Sequence, residues 1–242
     1  KSASLVFSDT ELDVAVNSSL VSIFLNQGQM CTAMSRIFVQ ENIYDKFVAS
    51  FVEKTKRIKL GLADDSQTQI GPLISDGQRK KVVAYIEKAK AEGAKVLCGG
   101  KIPEQAELKN GYYFEPTVLI DVSAHSHIFK EEVFGPVVLI HKFSGSDEAA
   151  SLANSVDFGL AACIWTSDLF LAQELAKKIN AGTIWINTYG MFYNQLPYGG
   201  FKQSGFGKEL GKEGLLEYTR IKNVILDQSD QGKPLVNYWY GF

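Results

Sequence analysis

PVVLIHKFSGSDEAASLANSVDFGLAACIWTS, residues 136–167, begins and ends on continuous apolar runs with a helix-like stretch around 147–155 between them. The two runs, PVVLIHKF (136–143) and LAACIWTS (160–167), have the length and apolar density of strands buried on both faces. Strand, helix and strand in succession make a crossover unit, which leaves its two strands parallel. The same alternation extends outward. A helix around 168–180 precedes a further strand, GTIWINT (182–188). Upstream lie the strands KVLCG (95–99) and YFEPTVLID (113–121), after a helix near 75–91 with Val82, Tyr85 and Ile86 facing inward. RIFVQ (36–40) leads into a helix carrying Phe47, Phe51 and Ile58, and SLVF (4–7) into one whose inner face is Leu12, Val16, Leu20 and Ile23, with Asp9 or Thr10 as its cap. The pattern predicts an α/β fold: a largely parallel sheet flanked by helices.

The composition bounds what such a fold could do. The chain has 242 residues, of which 45% are hydrophobic and 21% charged, with a formal net charge of −2. That balance gives no footing for nucleic acid or an anionic membrane as partner. No apolar run approaches the roughly 20 residues of a membrane span, and no charged-then-apolar leader is expected. Three dispersed cysteines without a CxxC pair point to a reduced, cytoplasmic setting. With three histidines, of which the close pair in AHSHIF (124–129) reads as a solvated turn, no metal site is expected.

Cys98 and Cys163 sit in apolar runs and read as buried structural residues. Cys31 differs: in NQGQMCTA (26–33) it follows a helix and stands among Asn26, Gln27, Gln29, Thr32 and Ser35, amides and hydroxyls of the kind a thiolate needs. No histidine lies near it in sequence, so a cysteine–histidine pair cannot be argued. EEVFGPVV (131–138) reads either as a solvated acidic turn or as an acid placed at a strand entrance. INTYGMFYNQLPYGGFKQSGFGKELG (186–211) is a long connection of the kind that tends to carry function. Its Tyr189, Phe192, Tyr193 and Tyr198 either line an apolar pocket or cover the sheet end. The glycines at 205, 207 and 211 miss the spacing of a dinucleotide-binding loop, and no phosphate-binding loop occurs. After a last amphipathic helix near 208–219, IKNVIL (221–226) reads as one more strand, followed by the aromatic tail DQSDQGKPLVNYWYGF (227–242). The expected division is residues 1–220 as one domain and 221–242 as an oligomerisation strand and tail.

Taken together these segments resemble the aldehyde dehydrogenase superfamily, over nearly the whole chain and in that family's order. KSASLVFSDTELDVAV (1–16) is similar to the stretch that follows its Glu-Leu-Gly-Gly motif, NQGQMC to its catalytic cysteine motif, and GPLIS (71–75) to a recurrent turn. EEVFGPV resembles its nicotinamide-ribose motif and PYGGFKQSGFGKELG (197–211) its C-terminal signature. The resemblance implies that Cys31 attacks an aldehyde carbonyl to give a thiohemiacetal, which is oxidised to a thioester and hydrolysed to a carboxylic acid. It further implies that the Cys31 N–H is one oxyanion donor, that Glu132 and Phe134 bind NAD (or NADP), and that Glu209 relays protons. Tyr189, Met191, Phe192 and Tyr198 fall where the family's substrate pocket lies. The segments 186–200 and 207–224 look like the betaine aldehyde and aminoaldehyde branch, whose aromatic boxes suit quaternary ammonium groups. The family's general-base glutamate would stand just before Lys1, with a second oxyanion donor and a Rossmann cofactor domain further upstream. The chain is therefore expected to be the catalytic domain of such an enzyme, inactive on its own and a homodimer or homotetramer when intact. Two other readings stay open: a non-catalytic oligomerisation module, or a cofactor-free cysteine esterase.

Overall fold

Strand β1 (Ala3–Val6) lies at the centre of a seven-stranded sheet, because every one of its side chains is apolar or small and every one is buried. In the computed structural model, which describes residues 1–226, the remaining elements follow in the anticipated alternation. They are α1 (Leu12–Phe24), β2 (Arg36–Gln40), α2 (Glu41–Lys56), α3 (Asp76–Ala91), β3 (Lys95–Cys98), β4 (Thr117–Ile120), α4 (His127–Lys130) and β5 (Val137–Phe143). Then come α5 (Ser146–Asn154), β6 (Phe158–Gly159), β7 (Ala161–Trp165), α6 (Leu169–Lys178), β8 (Thr183–Ile186), β9 (Phe201–Lys202) and α7 (Gly211–Leu216). The sheet order is β3-β4-β5-β2-β1-β7-β8, parallel throughout except for the antiparallel edge strand β3. Strands β6 and β9 form a separate antiparallel pair.

Side chains alternate across the sheet, as the period of two requires. Leu5, Phe38, Leu139 and Ile164 face α3, α5 and α6, whereas Val6, Ile37, Val39, Ile140 and Trp165 face α1 and α2. Two apolar layers therefore sandwich the central strands, and α2 docks through Phe47 and Phe51, stacked at 5.8 Å and fully buried. Truncating either ring to alanine should cost about 3–5 kcal/mol, because the lost transfer energy and the cavity add.

Among the described residues Arg36 is the largest fully buried side chain, and none of their carboxylates pairs with it. Its guanidinium donates to Leu152 O (3.0 Å) and Ala153 O (3.0 Å), carbonyls in the last turn of α5, and to Lys1 O (2.8 and 3.2 Å). Lys130 and Lys202 donate to the next carbonyls, those of Ser155, Asn154 and Val156. Three cations thus satisfy the C-terminal carbonyls of one helix, where its dipole favours positive charge. The same guanidinium fastens the backbone at Lys1.

Several local expectations are corrected. Asp9 does not cap α1; its carboxylate instead accepts from the Thr166 and Ser167 hydroxyls and from the Ser167 and Asp168 amides, tying β1 to the start of α6. Those four bonds hold its carboxyl below the usual aspartate range, despite the opposing effect of burial. His127 opens the short α4 rather than a free turn, and stacks on Tyr85 at 5.3 Å. Residues 221–226 form no strand: they are irregular and exposed. The aromatic tail, 227–242, lies outside the described residues.

Candidate active site

The NQGQMC segment leaves α1 through a turn that few sequences can make. Asn26, Gln27 and Gly28 are successive left-handed residues, with φ of 51°, 57° and 69°. For the two non-glycine residues this costs about 1–3 kcal/mol each, so the surroundings must hold the turn in place. They do. Asn26 Nδ2 donates to Gln29 O (3.0 Å), and Gln29 Oε1 accepts from Ile74 N (3.0 Å), which brings the GPLIS turn against the loop. Gly28 is required by space as well: a Cβ there would sit 2.1 Å from Gly135 O. The NQG turn and the EEVFGP loop are thus packed backbone to backbone.

This geometry corrects one part of the sequence reading. The amides of Asn26, Gln27 and Gln29 build the loop and do not surround the sulfur. Cys31 is exposed, and among the described residues the one side chain within hydrogen-bond reach of its Sγ is Tyr198, whose hydroxyl lies at 3.4 Å. The long connection after β8 delivers that tyrosine. Trp185, at the end of β8, packs edge-on to Tyr189 (5.4 Å) and Phe192 (5.5 Å), and Phe192 packs edge-on to Tyr198 (5.1 Å). Tyr189 OH lies 3.3 Å from Thr32 Oγ1, next to the cysteine. Tyr189, Phe192 and Tyr198 are therefore brought together beside Cys31. Met191 is half exposed and contributes its carbonyl, which accepts from Trp185 Nε1 (3.0 Å). Trp185 was not singled out from the sequence, where it reads as one more apolar residue of a strand. Its place directly before an aromatic-rich loop was the available signal.

Glu209 reaches the site through its main chain. Its N–H and C=O form a two-way bridge with Tyr198, both bonds 2.7 Å, while its side chain is exposed. Burial above all, then Cys31 and Glu209, pushes the Tyr198 phenol up, so the hydroxyl keeps its proton at neutral pH. Glu132 Oε1 lies 3.8 Å from the Lys1 main-chain nitrogen. Burial and then the Arg36 charge push the Lys1 side-chain ammonium down to about 7, against the pull of Glu132. Among the described residues the Glu132 carboxylate accepts no hydrogen bond. Beside it Phe134 is 37% exposed and held left-handed at φ 57°. The other two thiols differ sharply from Cys31. Cys163 is buried, which pushes its thiol far up; Cys98 is only half-buried, at the sheet edge, and is pushed up to about 11 by desolvation.

The aldehyde dehydrogenase family profile matches residues 1–224. The chain belongs to the aldehyde dehydrogenase family. It is 43% identical over 240 residues to a betaine aldehyde dehydrogenase of Bacillus subtilis, covering 99% of this chain and 48% of that protein. It is 42% identical over 234 residues to one from Brucella melitensis, covering 97% of this chain and again 48% of the other. The structure superposes on a crystal structure of betaine aldehyde dehydrogenase from Staphylococcus aureus in complex with NAD+, with a TM-score of 0.94 at 42% identity, covering 99% of this chain and 47% of that one. The chain spans about half the length of the curated relatives it matches. Among the described residues no helix is long and apolar enough to cross a membrane, and no group of three or more histidine, cysteine, aspartate or glutamate side chains could hold a metal.

Proposed function

We propose that the chain forms the thiol-bearing part of an NAD-dependent aldehyde dehydrogenase that converts an aldehyde to a carboxylic acid. The observation that carries this reading is an exposed Cys31 sulfur at the rim of the Trp185–Tyr189–Phe192–Tyr198 cluster, in contact with a phenol that stays protonated. Once the general base has taken its proton, the Cys31 thiolate adds to the aldehyde carbon, and the new S–C bond turns the carbonyl oxygen into the oxyanion of a thiohemiacetal, which the Cys31 N–H stabilises. NAD, when bound, supplies the acceptor for the hydride lost from that carbon. Water then cleaves the thioester and releases the acid. Glu132 and Phe134 suit the cofactor: a carboxylate without hydrogen bonds can accept from ribose hydroxyls, and an exposed ring can lie against nicotinamide. We assign the nucleotide-binding domain and the general base to sequence of the kind that makes up the other half of the relatives. General-base help is typically worth about 10²–10⁴ in rate, so residues 1–242 alone should turn over aldehyde at a small fraction of that.

The aromatic cluster supports a cationic aldehyde, betaine aldehyde in the first place and aminoaldehydes next. The rings of Tyr189, Phe192 and Tyr198, backed by the buried Trp185, attract a quaternary ammonium through their quadrupoles, with about 0.5–2 kcal/mol of preference. The test compares betaine aldehyde with its neutral isostere 3,3-dimethylbutanal in the full-length protein, with NAD and NADP and with Cys31→Ser as the reference. We expect NAD-linked turnover that Cys31→Ser abolishes, and kcat/KM higher by roughly 3–30-fold for the cation. Equal values for the two aldehydes would overturn the cation reading, and turnover surviving Cys31→Ser would overturn the chemistry.

A further inference from the structure

Two adjacent glutamates, Glu131 and Glu132, stand at the mouth of the same loop, and the structure treats them differently. The backbone at Glu131 is extended, with φ −97° and ψ 158°, so consecutive side chains leave it on opposite sides. Glu131 turns toward α3, where Tyr85 OH donates to its Oε2 at 2.9 Å and His127 Nδ1 lies 3.7 Å from its Oε1. The Tyr85 ring is itself held, stacked on His127 at an interplanar angle of 17° with Lys81 Nζ 5.8 Å from its centroid. Glu132 turns the other way, toward Lys1 N.

The same helix face holds the rest of the loop. Gln78 Nε2 donates to both Val133 O (2.9 Å) and Phe134 O (2.7 Å), the two carbonyls flanking the left-handed Phe134. Val82 packs so closely on Gly135 that a Cβ there would lie 2.6 Å from its Cγ2. Positions 78, 82 and 85 recur at i, i+4 and i+7, one stripe of α3. That stripe grips the loop along 131–135.

We propose that Tyr85 is a positioning residue: by fixing Glu131 on the α3 side of the loop, it aims Glu132 at the cofactor side of the Cys31 site. The proposal rests on the cofactor role assigned above to Glu132. Burial, then the hydrogen bond to Glu131, pushes the Tyr85 phenol up to about 12, so it remains a donor throughout the neutral range. With its partner lost, Glu131 is free to leave α3 and the 131–132 segment to rotate, and Glu132 then spends less time in position.

The experiment uses the full-length enzyme and reads NAD-linked oxidation beside cofactor-free cleavage of 4-nitrophenyl acetate at Cys31. Tyr85→Phe, which keeps the stacked ring, should raise KM for NAD by roughly 3–10-fold with little change in ester cleavage. Glu131→Ala should do the same, the double variant Tyr85→Phe/Glu131→Ala should be no worse than either, and Glu131→Gln, which keeps an acceptor oxygen, should restore most of the loss. Glu132→Gln serves as the reference. If it raises KM for NAD while Tyr85→Phe does not, or if the two single losses multiply in the double variant, the positioning role is overturned. Equal loss of ester cleavage in Tyr85→Phe would overturn it too, by exposing general damage to the fold. If Glu132→Gln itself leaves NAD-linked oxidation unchanged, the cofactor role fails first and the positioning role falls with it.

Discussion

One sulfur and one hydroxyl, 167 residues apart in sequence, meet at the proposed active site. A single neutral hydrogen bond is worth about 0.5–1.5 kcal/mol, so Tyr198→Phe should slow every reaction of Cys31 by roughly 3–10-fold while barely changing the unfolding temperature. Iodoacetamide mapping of the native protein should label Cys31 first, Cys98 slowly and Cys163 last, following their exposed, half-buried and buried settings. Faster labelling of Cys98, or a Tyr198→Phe protein alkylated at the parent rate, would contradict this picture. That Cys31 is the exposed cysteine was legible in the sequence because its local motif is dense and polar. Its true neighbour was not, because periodicity reports which face a residue occupies and says nothing about which distant loop meets it. The nearby amides misled for a related reason: Asn26 and Gln27 are polar because they stabilise a left-handed turn, and a turn residue looks the same in sequence as a ligand.

At the level of elements, hydrophobic period alone placed every strand of the main sheet, since strands buried on both faces leave continuous apolar runs. It could not foresee groups that break the pattern inside those runs. His141 in β5 is one: its ring lies against Phe38 (5.8 Å) and Phe129 (5.1 Å), and its buried Nε2 has no hydrogen-bond partner among the described residues. Burial first, then the Arg36 and Lys1 charges, lowers its pKa from the ordinary 6.5 to about 4. The unfolded chain thus binds this proton more readily between those values. Stability is intact above about pH 6.5 and declines as pH falls toward 4, by up to about 3 kcal/mol from this group. Chemical denaturation at pH 7.5 and 5 should show the decline, and His141→Phe should flatten it. An unchanged slope in that variant would assign the effect elsewhere. The two-residue pair β6–β9 escaped the sequence reading because elements that short carry no period.

The molecule as a whole was legible as an α/β domain, yet the end of the described chain departs from expectation. Ile221, Val224, Ile225 and Leu226 are largely exposed, and no other described residue covers them. We expect the segment from 221 onward to bind a second subunit, which would bury these side chains. Deleting 228–242 from the full-length protein should lower its mass in light scattering or its solubility, whereas an unchanged assembly would confine the tail to its own domain. A last consequence concerns time rather than contact. β1 is central, yet one of its two neighbours, β7, arrives so late that the Trp165–Ser4 hydrogen bond spans 161 residues. Such distant pairing makes folding slow, because the entropy of closing the loop is lost before the contacts form. On the ribosome, β1 and β2 can pair early, but the apolar edge of β1 stays open until β7 has emerged, and that interval is when this chain most needs shielding from its neighbours.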